Sequence, residues 1–236
     1  MNILHLATQG PVAPSTYDVF WMTGLDTKGR VRVTVPPIIE SRFVAAELSV
    51  ARWLLEEENV CGHDKTGAGL KLFVSAEQIP QLHNMESEKE FLAPYANFLH
   101  TRFVGCSIEL ENDRSWANGD CEARVSNLLL ARPEMKTIEV TGIGPVEVTA
   151  HAVRKYIERF DRKPTRAWPE LIKIAKGVVE VRFPYRHAVQ DVKHKNPGRF
   201  YLSKGNQILV IAPPLVPEGC PQLVTVTRPI GIYVAA

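Results

Sequence analysis

The sequence contains few cysteines and no long apolar run, and each absence argues against a class of protein. Its 236 residues include four cysteines, none of them in a CxxC pair, a pattern that disfavours a disulfide framework and a zinc site. No run approaches the roughly 18 apolar residues that a membrane-spanning helix needs. The start of the chain lacks a basic segment followed by an apolar one, so we expect no secretory signal and a cytoplasmic protein.

A nucleotide-cofactor motif is also missing. Gly142-Ile143-Gly144 lacks the third glycine and the helix start that give such a motif its meaning. The hydrophobic fraction of 45% and the charged fraction of 23% are ordinary for a globular protein. We therefore expect a globular chain that needs no cofactor.

What the sequence does contain is an unequal distribution of charge. Residues 1–135 hold 12 Lys and Arg against 18 Asp and Glu, a balance of −6, whereas residues 136–236 hold 16 against 8, a balance of +8. A basic module attracts polyanions over about one Debye length, ~8 Å at physiological salt. The sequence predicts an acidic domain over 1–133 and a basic domain over 134–236, divided near Pro133, with the basic half as the nucleic-acid partner.

The acidic half is predicted to alternate strands and helices, which indicates a mixed α/β sheet with helices on its faces. Residues 1–16 are interpreted as a loose lead-in because they contain Gly10, Pro11 and Pro14. Period-two and helical spacing then predict, in order, a hairpin from Val19–Met22 and Arg30–Val35, a helix over 40–58, a strand at Leu70–Val74, helices over 79–82 and 88–102, a strand over 106–110 and a helix over 120–132.

Three short motifs of this half resemble ribonuclease-H-like domains. They are Val44–Ala51, which carries Glu47 on the first helix, Leu70–Ile79 and Asn118–Glu122. The resemblance implies a site in which several carboxylates hold two metal ions ~3.5–4 Å apart. Glu47 and Asp120 could supply two of them. The strand Val19–Leu25 contains no acid: Thr23 lies near where one is needed, and Asp18 and Asp26 lie at the ends of the strand. Ser75 also stands where an acid is needed. We therefore expect a non-catalytic domain without a metal, and a metal-dependent nuclease is a weaker alternative.

The basic half is predicted as strands, two helices and then an antiparallel sheet, an α+β arrangement. The strands are expected at 136–140, 146–148, 178–183, 200–202, 207–211 and Gln222–Thr227, with helices over 150–160 and 168–176. On the first of these helices His151, Lys155 and Arg159 fall at i, i+4 and i+8 and share one face. Cationic groups in such a row repel each other unless an anion lies between them, and phosphate fits. A solvated basic face is the alternative interpretation of the row.

The second half resembles the small ribonuclease fold shared by barnase and RelE-type toxins. One branch opens with an H-A-x-x-R-x-x-x-R helix and closes with an I-I-T-V-like strand; the counterparts here are His151-Ala152, Lys155, Arg159 and Leu223–Val226. Lys155 replaces the first arginine of that motif and keeps the charge without the fork. Five further cations and one aromatic residue are predicted to contact the phosphate backbone of nucleic acid. They are Arg154, Arg186, Lys193, Lys195, Arg199 and Tyr201.

The resemblance implies RNA cleavage without metal, through acid–base chemistry and stabilisation of a phosphorane-like transition state. It gives His151 the role of general base or acid, places Lys155 and Arg159 at the phosphate, and has Thr225 position it. His187 or His194 is the second acid–base group. The sequence thus favours a toxin-like endoribonuclease joined to a regulatory or RNA-binding domain. RNA is the expected partner, with DNA as an open alternative and an antitoxin as a further protein partner; a non-catalytic nucleic-acid-binding protein of a phage or mobile element is the rival hypothesis.

Overall fold

The protein is analysed as a computed structural model that describes residues 2–25, 27–62, 66–86, 90–118, 125–130, 133, 135–181, 199–214 and 218–229. The chain divides into two compact units, Met1–Glu134 and Met135–Ala236. Each unit contains a six-stranded mixed sheet. The longest described helix has 15 residues, and none in the described part of the chain has the length and apolar character needed to cross a membrane.

The N-terminal unit has a sheet with the strand order β5-β4-β1-β2-β3-β6. Its strands are β1 (Asn2–Ala13), β2 (Thr16–Thr23), β3 (Lys28–Thr34), β4 (Leu70–Val74), β5 (Ser107–Leu110) and β6 (Val125–Leu129). Strands β1, β2 and β3 form an antiparallel meander, and β4, β5 and β6 each pair with a parallel neighbour. The predicted hairpin and the predicted strands at 70–74 and 106–110 are therefore confirmed.

The prediction that residues 1–16 form a loose lead-in is wrong, because they form β1 in the middle of the sheet. Leu4 and Leu6 are buried on one face of this strand, and Ala7 is buried on the other. Because apolar residues of β1 are buried on both faces of the sheet, apolar and polar residues do not alternate strictly along it, which hides the period-two signal. The cluster of Gly and Pro that suggested a loop marks only the far end of the strand, where its pairing with β2 shifts register between Gln9 and Ala13.

Helices of the N-terminal unit pack against one face of this sheet. They are α1 (Arg42–Glu56), α2 (Gln78–His83) and α3 (Ala93–His100), with a 3-10 turn at Glu90–Leu92. The helix predicted over 40–58 is confirmed, and its Val44, Leu48 and Leu54 join the core cluster. The helix predicted over 120–132 is wrong: Val125–Leu129 is strand β6, which pairs with the outer side of β3. Hydrogen-bond partners on an open sheet edge outweigh the local helical pattern.

The C-terminal unit has a curled, half-barrel sheet with the order β7-β8-β12-β11-β10-β9. Its strands are β7 (Thr137–Val140), β8 (Gly144–Val148), β9 (Val178–Val181), β10 (Arg199–Ser203), β11 (Ile208–Ala212) and β12 (Gln222–Thr227). The predicted purely antiparallel sheet is wrong, because β12 runs parallel to β8. The last strand returns beside the first hairpin, a pairing that no local pattern reveals.

Two helices connect β8 to β9. They are α4 (Ala150–Phe160) and α5 (Pro164–Ala175), and α4 lies along β12 while α5 lies against β7. Helical spacing predicts that Val153, Tyr156, Ile157 and Phe160 pack on the sheet; Val153 and Tyr156 are buried together with Ala152, whereas Ile157 and Phe160 are half-buried. The Tyr156 hydroxyl donates to Glu170 Oε2 at 2.8 Å, which ties α4 to α5. The two helices therefore pack on each other, with α4 beside the last strand and α5 beside β7.

Candidate functional site

The helix α4 begins at a side-chain cap. Thr149 has an extended backbone, and its hydroxyl accepts from the Ala152 N–H at 3.1 Å, which satisfies one of the free N–H groups at the helix start. The same hydroxyl donates to the Leu223 carbonyl of β12 at 2.9 Å. One threonine thus fixes both where the helix starts and how it lies on the last strand, which sets the position of the row His151, Lys155, Arg159.

Arg159 contacts β12, the strand that carries the other predicted site residue, Thr225. Its Nη1 donates to the Thr225 hydroxyl at 3.1 Å and to the Val226 carbonyl at 3.0 Å. The two predicted site residues are 66 positions apart in the chain, so their contact depends on the placement of α4 on β12. Both acceptors are neutral, so they orient the guanidinium without cancelling its charge. Its remaining donors are available for an anion.

Lys155 is held differently. Its Nζ lies 2.6 Å from Glu158 Oε2, and Arg154 Nε lies 3.6 Å from Glu158 Oε1. Because the Lys155 ammonium donates to it, the pKa of Glu158 is lowered. Two cations that the sequence assigned to nucleic acid therefore share one carboxylate, which an incoming phosphate has to displace.

His151 lies at the exposed start of the row, in the first turn of α4. Partial burial lowers the pKa of its imidazole, and the positive charges of Arg154, Lys155 and Arg159 lower it further, while Glu158 opposes them. A histidine whose pKa is below its ordinary value of about 6.5 is neutral at pH 7. In that form one ring nitrogen can accept a proton.

The other residues predicted to contact nucleic acid differ in their exposure to solvent. Arg199 is exposed on β10, where its Nη1 lies 4.0 Å from Glu180 Oε2. Tyr201, on the same strand, is only 6% exposed, which leaves little of its ring for a base. Five predicted residues lie outside the described part of the chain: Arg186, His187, Lys193, His194 and Lys195.

In the N-terminal unit Glu47 lies at the centre of a buried hydrogen-bond network. Its carboxylate accepts from the Thr8 hydroxyl at 2.6 Å and from both the N–H and the hydroxyl of Ser75. The Ser75 hydroxyl in turn accepts from the Thr8 N–H at 2.9 Å. Glu47 is completely buried. Three segments of the unit, β1, α1 and the end of β4, therefore meet at one carboxylate.

Burial raises the pKa of Glu47 even though the hydrogen bonds from Ser75 and Thr8 act in the opposite direction. Loss of hydration thus outweighs the three donated hydrogen bonds. Thr23, which lies near where the resemblance needs an acid, pairs with Leu4 at the end of β2, and Thr8 of β1 is the strand residue whose side chain contacts Glu47. Asp120 lies outside the described residues. Within the described residues, no group of three His, Cys, Asp or Glu side chains could hold a metal.

Two residues in these sites were not predicted from the sequence. Thr8 was missed because its strand was interpreted as a lead-in. Arg228 follows directly after β12, and its Nη2 donates to the Arg159 carbonyl at 2.6 Å. The signal in the sequence that could have identified Arg228 is its position, a cation directly after the predicted last strand.

Comparisons of this chain with protein-family models, with curated proteins and with solved structures find no match.

Proposed function

We propose that this protein acts on nucleic acid, with a metal-independent, toxin-like endoribonuclease in residues 135–236. The N-terminal unit is then a non-catalytic, ribonuclease-H-like domain that regulates the enzyme or binds RNA. The observation that carries the proposal is the contact between Arg159 and Thr225. These residues were paired from a resemblance between motifs, and the fold places them within hydrogen-bonding distance.

The proposed chemistry uses the row on α4. Neutral His151 accepts the proton of a ribose 2′-hydroxyl, and the 2′ oxygen bonds to the adjacent phosphorus. The bond from phosphorus to the 5′ oxygen then breaks, and that oxygen takes a proton from a general acid, for which His187 and His194 are the predicted groups. Arg159 stabilises the charge on the phosphate in the transition state. The products are a 2′,3′-cyclic phosphate and a 5′-hydroxyl.

The N-terminal unit supports the non-catalytic part of the proposal. An antiparallel meander followed by a helix and two parallel strands is similar to the arrangement of ribonuclease-H-like sheets. At the position where such a domain needs carboxylates facing Glu47, this chain has the hydroxyls of Thr8 and Ser75. Hydroxyl donors satisfy the carboxylate, and the described part of the chain places no set of three metal-binding side chains around it.

The test is cleavage of labelled RNA by the full chain, with and without a chelator. We expect cleavage in both conditions, with cyclic phosphate and 5′-hydroxyl ends. His151→Ala should lower the cleavage rate by about 10²–10⁴, the usual contribution of a general acid–base group, and should leave RNA affinity within about twofold. Arg166→Ala is the matched control, because Arg166 is an exposed cation on α5 outside the row.

Three results would contradict the proposal in different ways. Cleavage that stops with the chelator indicates a metal nuclease. Full activity of His151→Ala removes the assigned base. RNA binding with no cleavage under any condition leaves the rival function, a non-catalytic nucleic-acid-binding protein.

The rival function is favoured by one observation. Glu158 pairs with Lys155 and lies close to Arg154, so one of the three positive charges that act on His151 is compensated. A binding protein tolerates this loss, because its affinity depends on the sum of many phosphate contacts. A catalyst with a single anchored arginine depends more heavily on Arg159.

A further inference from the structure

Two arginines tie α4 and β12 together in a reciprocal way. The Arg159 side chain, from the last turn of α4, donates to Thr225 and to the Val226 carbonyl of β12. The Arg228 side chain, from the end of β12, donates to the Arg159 carbonyl at 2.6 Å. Its guanidinium carbon lies 5.6 Å from the centre of the Phe160 ring. Each arginine is thus held in place by the main chain of the other element.

The acceptors of these two arginines are neutral. In the described residues, neither guanidinium forms an ion pair with a carboxylate, whereas three neighbouring cations do: Arg154 and Lys155 pair with Glu158, and Arg162 pairs with Glu170. Carbonyl and hydroxyl oxygens fix the orientation of a guanidinium and leave its full charge in place. Two cations that are held near the same end of a helix both add to the positive potential there, and that potential attracts an anion.

We propose that Arg228 and Arg159 together form an anion site for a nucleic-acid phosphodiester, at the C-terminal end of α4. This inference rests on the nucleic-acid-binding part of the proposed function and does not depend on cleavage. It extends the phosphate path from the row His151, Lys155, Arg159 past the end of the helix to the last strand. Arg228 acts here as a binding residue, since it has no proton to give or take at neutral pH.

The experiment measures binding of a labelled oligouridylate to the full chain over a range of salt concentrations. A single-stranded contact contributes about 0.7 to the slope of log affinity against log salt. Arg228→Gln should lower that slope by about 0.7 and weaken binding several-fold at low salt, whereas Arg228→Lys should keep the slope and lose part of the affinity. Arg166→Gln, which removes one exposed cation from α5, should change neither.

A purely structural role for Arg228 gives a different pattern. In that case Arg228→Gln lowers the melting temperature, and its salt slope equals that of the wild type; this result overturns the inference. The inference and the nuclease proposal can fail separately. A reduced slope for Arg228→Gln without any RNA cleavage supports the anion site and contradicts the endoribonuclease. RNA cleavage by the wild type together with an unchanged slope for Arg228→Gln overturns the anion site and supports the endoribonuclease.

Discussion

The two units treat their polar side chains in opposite ways. In the N-terminal unit, Glu47 is completely buried and the chain itself supplies its partners, Thr8 and Ser75. In the C-terminal unit, Arg159 is held by neutral oxygens of β12 and keeps its charge. The first arrangement is closed and its hydrogen-bonding capacity is used internally. The second leaves the guanidinium charged, as the proposed phosphate site requires.

This difference predicts which unit should lose stability on substitution and which should lose binding. A buried ionisable group with internal partners contributes to stability, because any change in it leaves other buried polar groups unsatisfied. Arg159 is only half-buried, so we expect its substitution to cost less stability than a change at a completely buried carboxylate. Substitutions should therefore affect unfolding in the first unit and binding in the second.

The largest expected effect is on stability in the first unit. Glu47→Ala leaves the Thr8 hydroxyl and both donors of Ser75 without their acceptor, and it opens a cavity beside the sheet. We expect a loss of about 3 kcal/mol in the free energy of unfolding, from unsatisfied buried donors and lost packing. The measurement is urea denaturation of the full chain followed by tryptophan fluorescence, since three of its four tryptophans lie in residues 1–134.

Glu58→Ala is the matched control, because Glu58 is an exposed carboxylate just beyond the end of α1. It should change the free energy of unfolding by less than about 0.5 kcal/mol. If Glu47→Ala proves as mild as this control, the Glu47 network is not a stabilising element, and the comparison between the two units breaks down on that side.

The local pattern of the sequence predicted individual helices better than it predicted which segments pair or pack together. Helical spacing on α1 and α4 identified both helices and the shared face of His151, Lys155 and Arg159, because those signals lie within a few turns. It did not predict β1 or β6, since a central strand and an edge strand owe their state to the partners beside them. The Thr8–Glu47 contact and the Arg159–Arg228 tie were missed for the same reason: each joins segments that meet only through the sheet.

A smaller effect is expected from Glu158, the carboxylate that competes with phosphate in the second unit. Glu158→Gln releases Lys155 and Arg154, so RNA affinity at low salt should rise by only about threefold, because an exposed ion pair is weak. Fluorescence anisotropy with labelled RNA measures this change. Glu139→Gln removes the same charge from an exposed position on β7 and should leave affinity nearly unchanged. Equal gains for both variants would mean that net charge alone, and not this ion pair, limits binding.

The smallest effect concerns the imidazole of His151. Because the positive charge of Lys155 helps to lower the pKa of His151, Lys155→Gln should raise that pKa, and the acid limb of RNA cleavage should move to higher pH. Glu158→Gln should move both in the other direction, since Glu158 acts against the lowering. Proton NMR titration of the full chain, with the signal assigned from His151→Ala, measures the pKa without any need for activity. In about 1 M salt the Debye length is only ~3 Å, so the difference between the variants should shrink there; a difference that persists would have to come from a change in burial, and the row would then not act through its charge.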